Sequence, residues 1–348
     1  NRGPMRGIRL SARTVRPWIG LCAAVVSLIG TPGFSAEGSL FQQDSILPAA
    51  DTLYLVGRAR VDGGSFLGRT EALTAIAHDW HRSLEFGRLL PGNVAAASSA
   101  AYYQLLEEFD PNLLESVRSA TRNGSWVPVG GWWVESDLSL PHGESLIRQA
   151  LYGQRFFERM FGRRATIAWS PGARSAAWTL PQILLGSGFD GFVTGAVPWN
   201  TAVDYPYNEF YWEGNDGSRI FTYRPFLFPA EPDTTSVPRQ LESLDAGPAG
   251  RAVALADVGD PGSPGPLEAL RSVVGAAPSE TSPAIRFSRP EVAINAVRRG
   301  IPEDDVTVWR EDIYLERPDD PLVTQSGLEI RGRDAEVGLQ TAEALASI

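Results

Sequence analysis

From residue 52 onward, short apolar or β-branched runs alternate with longer amphipathic stretches. The runs fall at 52–57, 125–129, 165–169, 189–194, 219–223, 251–256, 284–287 and 305–309. The clearest amphipathic stretch is 143–161, where Leu146, Ile147, Ala150, Leu151, Phe156 and Phe157 recur at spacings of three and four. Strand-length runs separated by helical stretches predict a parallel sheet with helical crossovers, either open or closed into a barrel. In such folds, chemistry collects at the C-terminal ends of the strands. Asp62, residues 170–174, Thr194 and residues 257–260 occupy those positions. Residues 324–348 break the alternation. They form a polar helical stretch with Ala342, Leu345 and Ile348 spaced by three, and no strand follows.

The first strand ends unusually. After Leu53–Val56 and Gly57, the charged residues Arg58, Arg60 and Asp62 fall on alternate positions. In extended chain these share one side, so two guanidinium groups and a carboxylate enter one space, as a catalytic cluster or a ligand clamp.

Residues 1–36 stand apart. Asn1–Pro4 precede Met5 and read as upstream sequence. Arg6, Arg9, Arg13 and Arg16 are followed by the apolar run 18–30 and a small-residue exit at Ser35-Ala36. That order describes a secretory signal peptide; as a membrane anchor the run is short for a span of ~20 residues. The expectation is an exported bacterial protein, periplasmic or extracellular, without stable membrane insertion. Removing the five arginines of this segment moves the net charge from −10 to about −15, which argues against nucleic acid and anionic membrane as partners. Cys22 is the only cysteine and lies inside the segment, so the exported chain has no disulfide or thiol chemistry. The remainder, 43% hydrophobic and 21% charged over all 348 residues, is globular in profile.

Several long motifs carry a resemblance. They are Gly-Ser-Trp-Val-Pro-Val-Gly-Gly-Trp-Trp-Val-Glu-Ser-Asp-Leu-Ser-Leu-Pro (124–141), Gly-Glu-Ser-Leu-Ile-Arg-Gln-Ala-Leu-Tyr-Gly-Gln-Arg-Phe-Phe (143–157), Leu-Pro-Gln-Ile-Leu (180–184), Pro-Trp-Asn (198–200) and Phe-Tyr-Trp-Glu-Gly-Asn-Asp-Gly-Ser (210–218). Together they closely resemble the catalytic domain of the family-38 glycoside hydrolases, the α-mannosidases. The resemblance runs from about residue 52 to the end of the chain. It implies an α/β fold, a seven-stranded β/α barrel of the glycoside hydrolase/deacetylase type, followed by the start of a helical-bundle domain. The expected organisation is a signal region at 1–36, a linker at 37–51, the barrel at 52–322 and the first helix of a three-helix bundle at 323–348. The resemblance also implies a zinc ion held by His and Asp of a His-x-Asp strand end, by the nucleophilic Asp and by a later His. A retaining mechanism needs two carboxyl groups about 5–5.5 Å apart.

Laid onto this chain, that pattern departs at the chemical positions. His-x-Asp reads Arg60-Val61-Asp62, and the usual His two residues earlier is Arg58. A sugar-stacking Trp is replaced by Ser65. The nucleophile loop reads Trp169-Ser170-Pro171-Gly172, so Gly172 takes the nucleophile's place. The later His falls near Pro318. Asp260, in Gly259-Asp260-Pro261-Gly262, is the acid/base candidate.

Arginine has no lone pair to offer a metal, so Asp62 is the one retained family ligand and no zinc or other cofactor is expected. Arg60 pairs with Asp62 where the cation would stand. His78 and His81 belong to a surface helix, and His142 to a loop.

Asp62, Trp133, Glu135 and Asp137 are the candidate substrate contacts. Glu135 and Asp137 also suit a loop-capping role, and Trp132 and Trp133 also suit core packing. Glu144 suits a helix N-terminus. Trp199, Asn200, Trp212 and Asp216 read as scaffold. The expectation is an exported α-mannosidase-like domain, catalytically inactive and retaining a carbohydrate (mannoside) ligand. The alternatives are an active, metal-independent glycosidase acting on α-mannosides and a decayed gene product.

Overall fold

The computed structural model describes residues 52–59, 61, 69–173, 175–195, 208–227, 249–257, 284–314 and 326–347. In chain order the elements begin with β1 (Thr52–Arg58), α1 (Arg69–Leu89), β2 (Ala95–Ala97), α2 (Ala100–Phe109), α3 (Pro111–Asn123), β3 (Trp126–Pro128) and α4 (Gly143–Phe161). There follow β4 (Ile167–Trp169), β5 (Ser175–Ala176), α5 (Leu180–Gly186), β6 (Gly191–Val193), β7 (Glu209–Glu213), β8 (Arg219–Tyr223) and β9 (Phe226–Leu227). The last are β10 (Arg251–Asp257), β11 (Ala284–Phe287), α6 (Pro290–Gly300), β12 (Val308–Trp309), β13 (Ile313–Tyr314) and α7 (Ser326–Ala346).

One sheet has the order β3-β2-β1-β10-β9, with β11 also paired to β1, and all its pairings are parallel. A second runs β12-β7-β8-β6-β4, parallel except for the β7–β8 pair. A short antiparallel pair joins β13 to β5. This is a mixed α/β fold with parallel sheet.

Side-chain alternation along each strand explains why three apolar clusters form. On β10, Ala252, Ala254 and Ala256 face the helices α1–α4, while Val253 and Leu255 face inward. On β1, Leu53 and Leu55 face outward and Val56 inward. The inward cluster adds Ala96 of β2, Val127 of β3, Ile167 and Trp169 of β4, Val193 of β6, and Phe221 and Tyr223 of β8. It therefore draws on both sheets, and α6 contributes Ala293, Ile294 and Val297. A third cluster packs α4 and α5 on the outer face of the second sheet.

The outer core under α1–α4 is aromatic. Trp80 lies 4.5 Å from Tyr103 and 5.0 Å from Trp126, centroid to centroid. Trp126 Nε1 donates to the Tyr103 hydroxyl at 2.9 Å, which donates onward to the Ala97 carbonyl at 3.0 Å. Burial pushes the Tyr103 hydroxyl far above the ordinary phenol range, so it stays a neutral donor.

Helix α4 spans the predicted 143–161, and Gly162 closes it in the left-handed conformation with φ +70°. It crosses the loop after β3 at backbone contact: a Cβ on Gly153 would lie 2.3 Å from the Gly131 carbonyl oxygen. Beside it, the buried Gln154 amide donates to the Ala165 carbonyl at 2.8 Å and accepts from its N–H at 2.9 Å. Both ends of one side chain thus fix α4 to the approach to β4. Ile147 and Leu151, placed on the apolar stripe by spacing, are 44% and 41% exposed. The buried stripe passes instead through Leu146, Ala150, Gly153 and Phe157.

Candidate functional site at the strand ends

Parallel pairing puts the C-terminal ends of β1, β2, β3 and β10 on one edge of the first sheet and those of β4 and β6 on one edge of the second. The two edges meet at Gly130 after β3, where a Cβ would lie 3.1 Å from Trp169 Cβ at the end of β4 and 3.5 Å from Ser98 Cβ. Arg58 closes β1 on the same face as Val56 and is buried. It stands in register with Ala96 of β2 and Asp257 of β10. Among the described residues it is the one member of the Arg58, Arg60, Asp62 triplet; Arg60 and Asp62 lie outside them, as do Ser65, Asp260 and Pro318.

Two residues beyond Ala96, Ser98 donates from Oγ to Glu135 Oε1. The adjoining Ser99 hydroxyl accepts from the Glu135 backbone N–H at 3.2 Å. Ser99 is buried and has φ +66°, the one non-glycine positive φ among the described residues. Such strain costs of order 1–3 kcal/mol and concentrates at functional sites. The β2 end thus grips Glu135 by side chain and backbone, and sets its carboxylate on the same edge as Arg58. The serine pair escaped the sequence reading. Its only signal was Ser98-Ser99 ahead of a helix, an N-cap pattern.

Gly172 sits in the turn after β4. Ser170 N donates to the Val193 carbonyl at 2.8 Å, and Ala173 N to the Ser170 carbonyl at 3.0 Å. This ties the turn to β6. Gly172 is exposed, and a Cβ built on it meets no atom of the described residues within 4 Å. Ser170 is 2% exposed and its hydroxyl has no hydrogen-bond partner among the described residues.

Other candidate residues are placed elsewhere. Asp137 Oδ1 accepts from Ser139 N at 2.7 Å and Leu140 N at 2.8 Å, an Asx-type turn. Trp132 is buried against Phe189 at 5.5 Å. Trp133 turns towards α4, edge-on to Phe156 at 6.0 Å. His78 and His81 are exposed on α1. His142 precedes α4, and its backbone N–H donates to Glu336 at 2.9 Å. Glu144 accepts from Arg148 at 2.8 Å. Trp212 is buried, with Nε1 donating to the Glu311 carbonyl at 2.9 Å, and Asp216 closes the β7–β8 turn on Ser218. Trp199 and Asn200 lie outside the described residues.

A mixed α/β fold with parallel sheet gathers charged and hydroxyl side chains at its strand ends, where such folds place their sites. Residues 52–255 match the glycosyl hydrolases family 38 N-terminal domain, and the chain belongs to that family. It is 28% identical over 306 residues to Alpha-mannosidase 2C1 of Homo sapiens, covering 85% of this chain and 29% of that protein. It is 30% identical over 253 residues to Alpha-mannosidase G of Dictyostelium discoideum, covering 72% and 23%. The chain therefore spans less than a third of the length of these relatives.

Among solved structures, an alpha-mannosidase from Enterococcus faecalis V583 superposes with a TM-score of 0.60 at 17% identity, covering 76% of this chain and 31% of that one. A 4-alpha-glucanotransferase from Thermococcus litoralis gives 0.55 at 16%, covering 76% and 40%. These likenesses show the fold.

Proposed function

We propose that this chain is a carbohydrate-binding member of its family that has lost α-mannoside hydrolysis. One observation carries the reading: Gly172 stands at the end of β4, where the family resemblance places the nucleophile, and offers no side chain. A covalent glycosyl intermediate needs a carboxylate there. The family's zinc does not fit the donors present. Glycine contributes none, and neither Arg58 nor Arg60 has a lone pair to give. By its place in the sequence pattern, two residues before Asp62, Arg60 is assigned the electrostatic role of the cation. The strands contributing to the inner apolar cluster close as a seven-stranded barrel, with α7 opening the following helical domain. Residues 1–36 direct export.

A metal-independent glycosidase is the second reading. It is favoured by Glu135, whose carboxylate accepts from Ser98 and whose backbone N–H donates to Ser99 at the strand ends, with Asp260 as its partner acid. The deciding experiment is release of the aryl group from an activated aryl α-mannoside, with added zinc and with chelator. No turnover from folded protein is the expected result. Chelator-resistant turnover lost in Glu135→Gln establishes the second reading, and chelator-sensitive turnover overturns both.

A further inference from the structure

Away from the strand ends, α7 rests on α4 through charged contacts. Arg148 donates to Glu343 at 2.6 and 2.8 Å and to Glu144 at 2.8 Å. Glu336 accepts from the His142 backbone N–H at 2.9 Å and from the Ser145 hydroxyl, with Arg333 3.6 Å away. Between the helices lies a groove of about 270 Å³, whose other lining residues are Trp133, Gln149, Tyr152, Leu339 and Gln340.

We propose that this groove is a saccharide-binding site distinct from the strand ends, and that it takes one neutral pyranose ring. The inference rests on the carbohydrate-binding reading of the chain. Trp133 and Tyr152 supply the aromatic surfaces on which the C–H face of a sugar packs. Trp133 is fixed for that role by Phe156 at 6.0 Å and by its backbone N–H, which donates to the Gln149 carbonyl at 2.9 Å. The Tyr152 hydroxyl and the Gln340 amide form no hydrogen bond among the described residues. They therefore offer donors and acceptors to ring hydroxyls.

The charge arrangement selects against anions. Glu144 and Glu343 are both engaged by Arg148, and Glu336 by Ser145 and His142. Three carboxylates against one lining arginine repel an anion. The volume falls just below the range of about 300–1,000 Å³ that holds a drug-sized ligand, room for one ring rather than a chain. Because α4 and α7 each contribute a wall, a bound sugar also holds the two helices together.

The test uses the whole chain with methyl α-mannoside and mannobiose as probes, read by ligand-observed NMR and calorimetry. Three proteins are compared: wild type, Tyr152→Ala in the groove and Glu135→Gln at the strand ends. Tyr152 is 56% exposed, so its removal leaves the core intact, and thermal melting verifies this. The expected result is an affinity at least about tenfold weaker in Tyr152→Ala, with Gln340→Ala also weakened. Loss in Glu135→Gln with Tyr152→Ala unchanged overturns the groove and leaves the strand-end reading standing. Loss in Tyr152→Ala alone supports the groove and removes the strand ends as a sugar site. No binding to wild type at millimolar sugar overturns both.

Discussion

Gly172 permits a sharp test of whether the fold itself dictated the missing carboxylate. A Cβ there meets no atom of the described residues within 4 Å, and the residue does not adopt a positive φ. Gly172→Ala therefore adds no clash and narrows the unfolded ensemble, which stabilises by about 0.4–1 kcal/mol. That corresponds to a Tm rise of about 1–3 °C. Gly172→Asp, equally unhindered, folds as well as wild type. Gly195 lies on the neighbouring loop and supplies the contrast. Its Cβ would lie 2.3 Å from the Ala173 carbonyl oxygen, so Gly195→Ala must displace backbone and costs about 1–3 kcal/mol or more. Urea unfolding followed by the fluorescence of the chain's ten tryptophans measures all three. A loss above about 1 kcal/mol in Gly172→Ala would show that the turn requires glycine and would refute this reasoning. If Gly172→Asp folds normally, the scaffold accommodates the carboxylate and its absence is a chemical change. Gly172→Asp alone is still expected to give no aryl mannoside turnover, because the proposed function sets Arg60 in place of a metal ligand.

Replacing Gln154 by Leu leaves the Ala165 N–H and carbonyl without their partner in a buried site; a loss of about 1–3 kcal/mol is expected in urea unfolding. Tyr103, held neutral by burial, should not titrate in the folded protein when its ultraviolet absorbance is followed up to strongly alkaline pH. Its raised pKa contributes stability that is full below the unfolded phenol value of about 10 and falls as pH rises beyond it. Tyr103→Phe should flatten that alkaline decline. Arg148 holds the Glu343 carboxyl below its ordinary value; burial pushes Glu336 up, but hydrogen bonds from Ser145 and His142 bring it net below. Docking of α7 is therefore full above the unfolded glutamate value of about 4.3 and weakens as pH falls through the lower folded values. Protection factors of the α7 amides, with exchange rates corrected for their intrinsic pH dependence, should fall on acidification and with added salt, and Glu336→Gln should reduce the acid component.

The strands that sequence pattern locates are those with β-branched or aromatic residues, such as β8, or with a sustained apolar run, such as β10. β2 is Ala95-Ala96-Ala97 and carries no such signal; pairing with β1 and β3 makes it a strand. The 3.6-residue period placed α4 correctly but not the width of its buried stripe. Ile147 and Leu151 lie one step off it and face outward, because the α4 stripe is split between two clusters separated by Gly153. The strand-end edge was legible from motif spacing, since residues following each apolar run must gather there in a parallel sheet. The contact that gives this edge its character was not. Ser98 and Glu135 lie 37 residues apart and meet only because β2 and β3 end side by side and Gly130–Gly131 turn the chain back. Glu135 alone in sequence is one carboxylate among many in a loop. Held by two hydroxyl-bearing residues, one of them strained, it becomes a specified position, and under the proposed function that specification persists in a chain with glycine in the nucleophile's place.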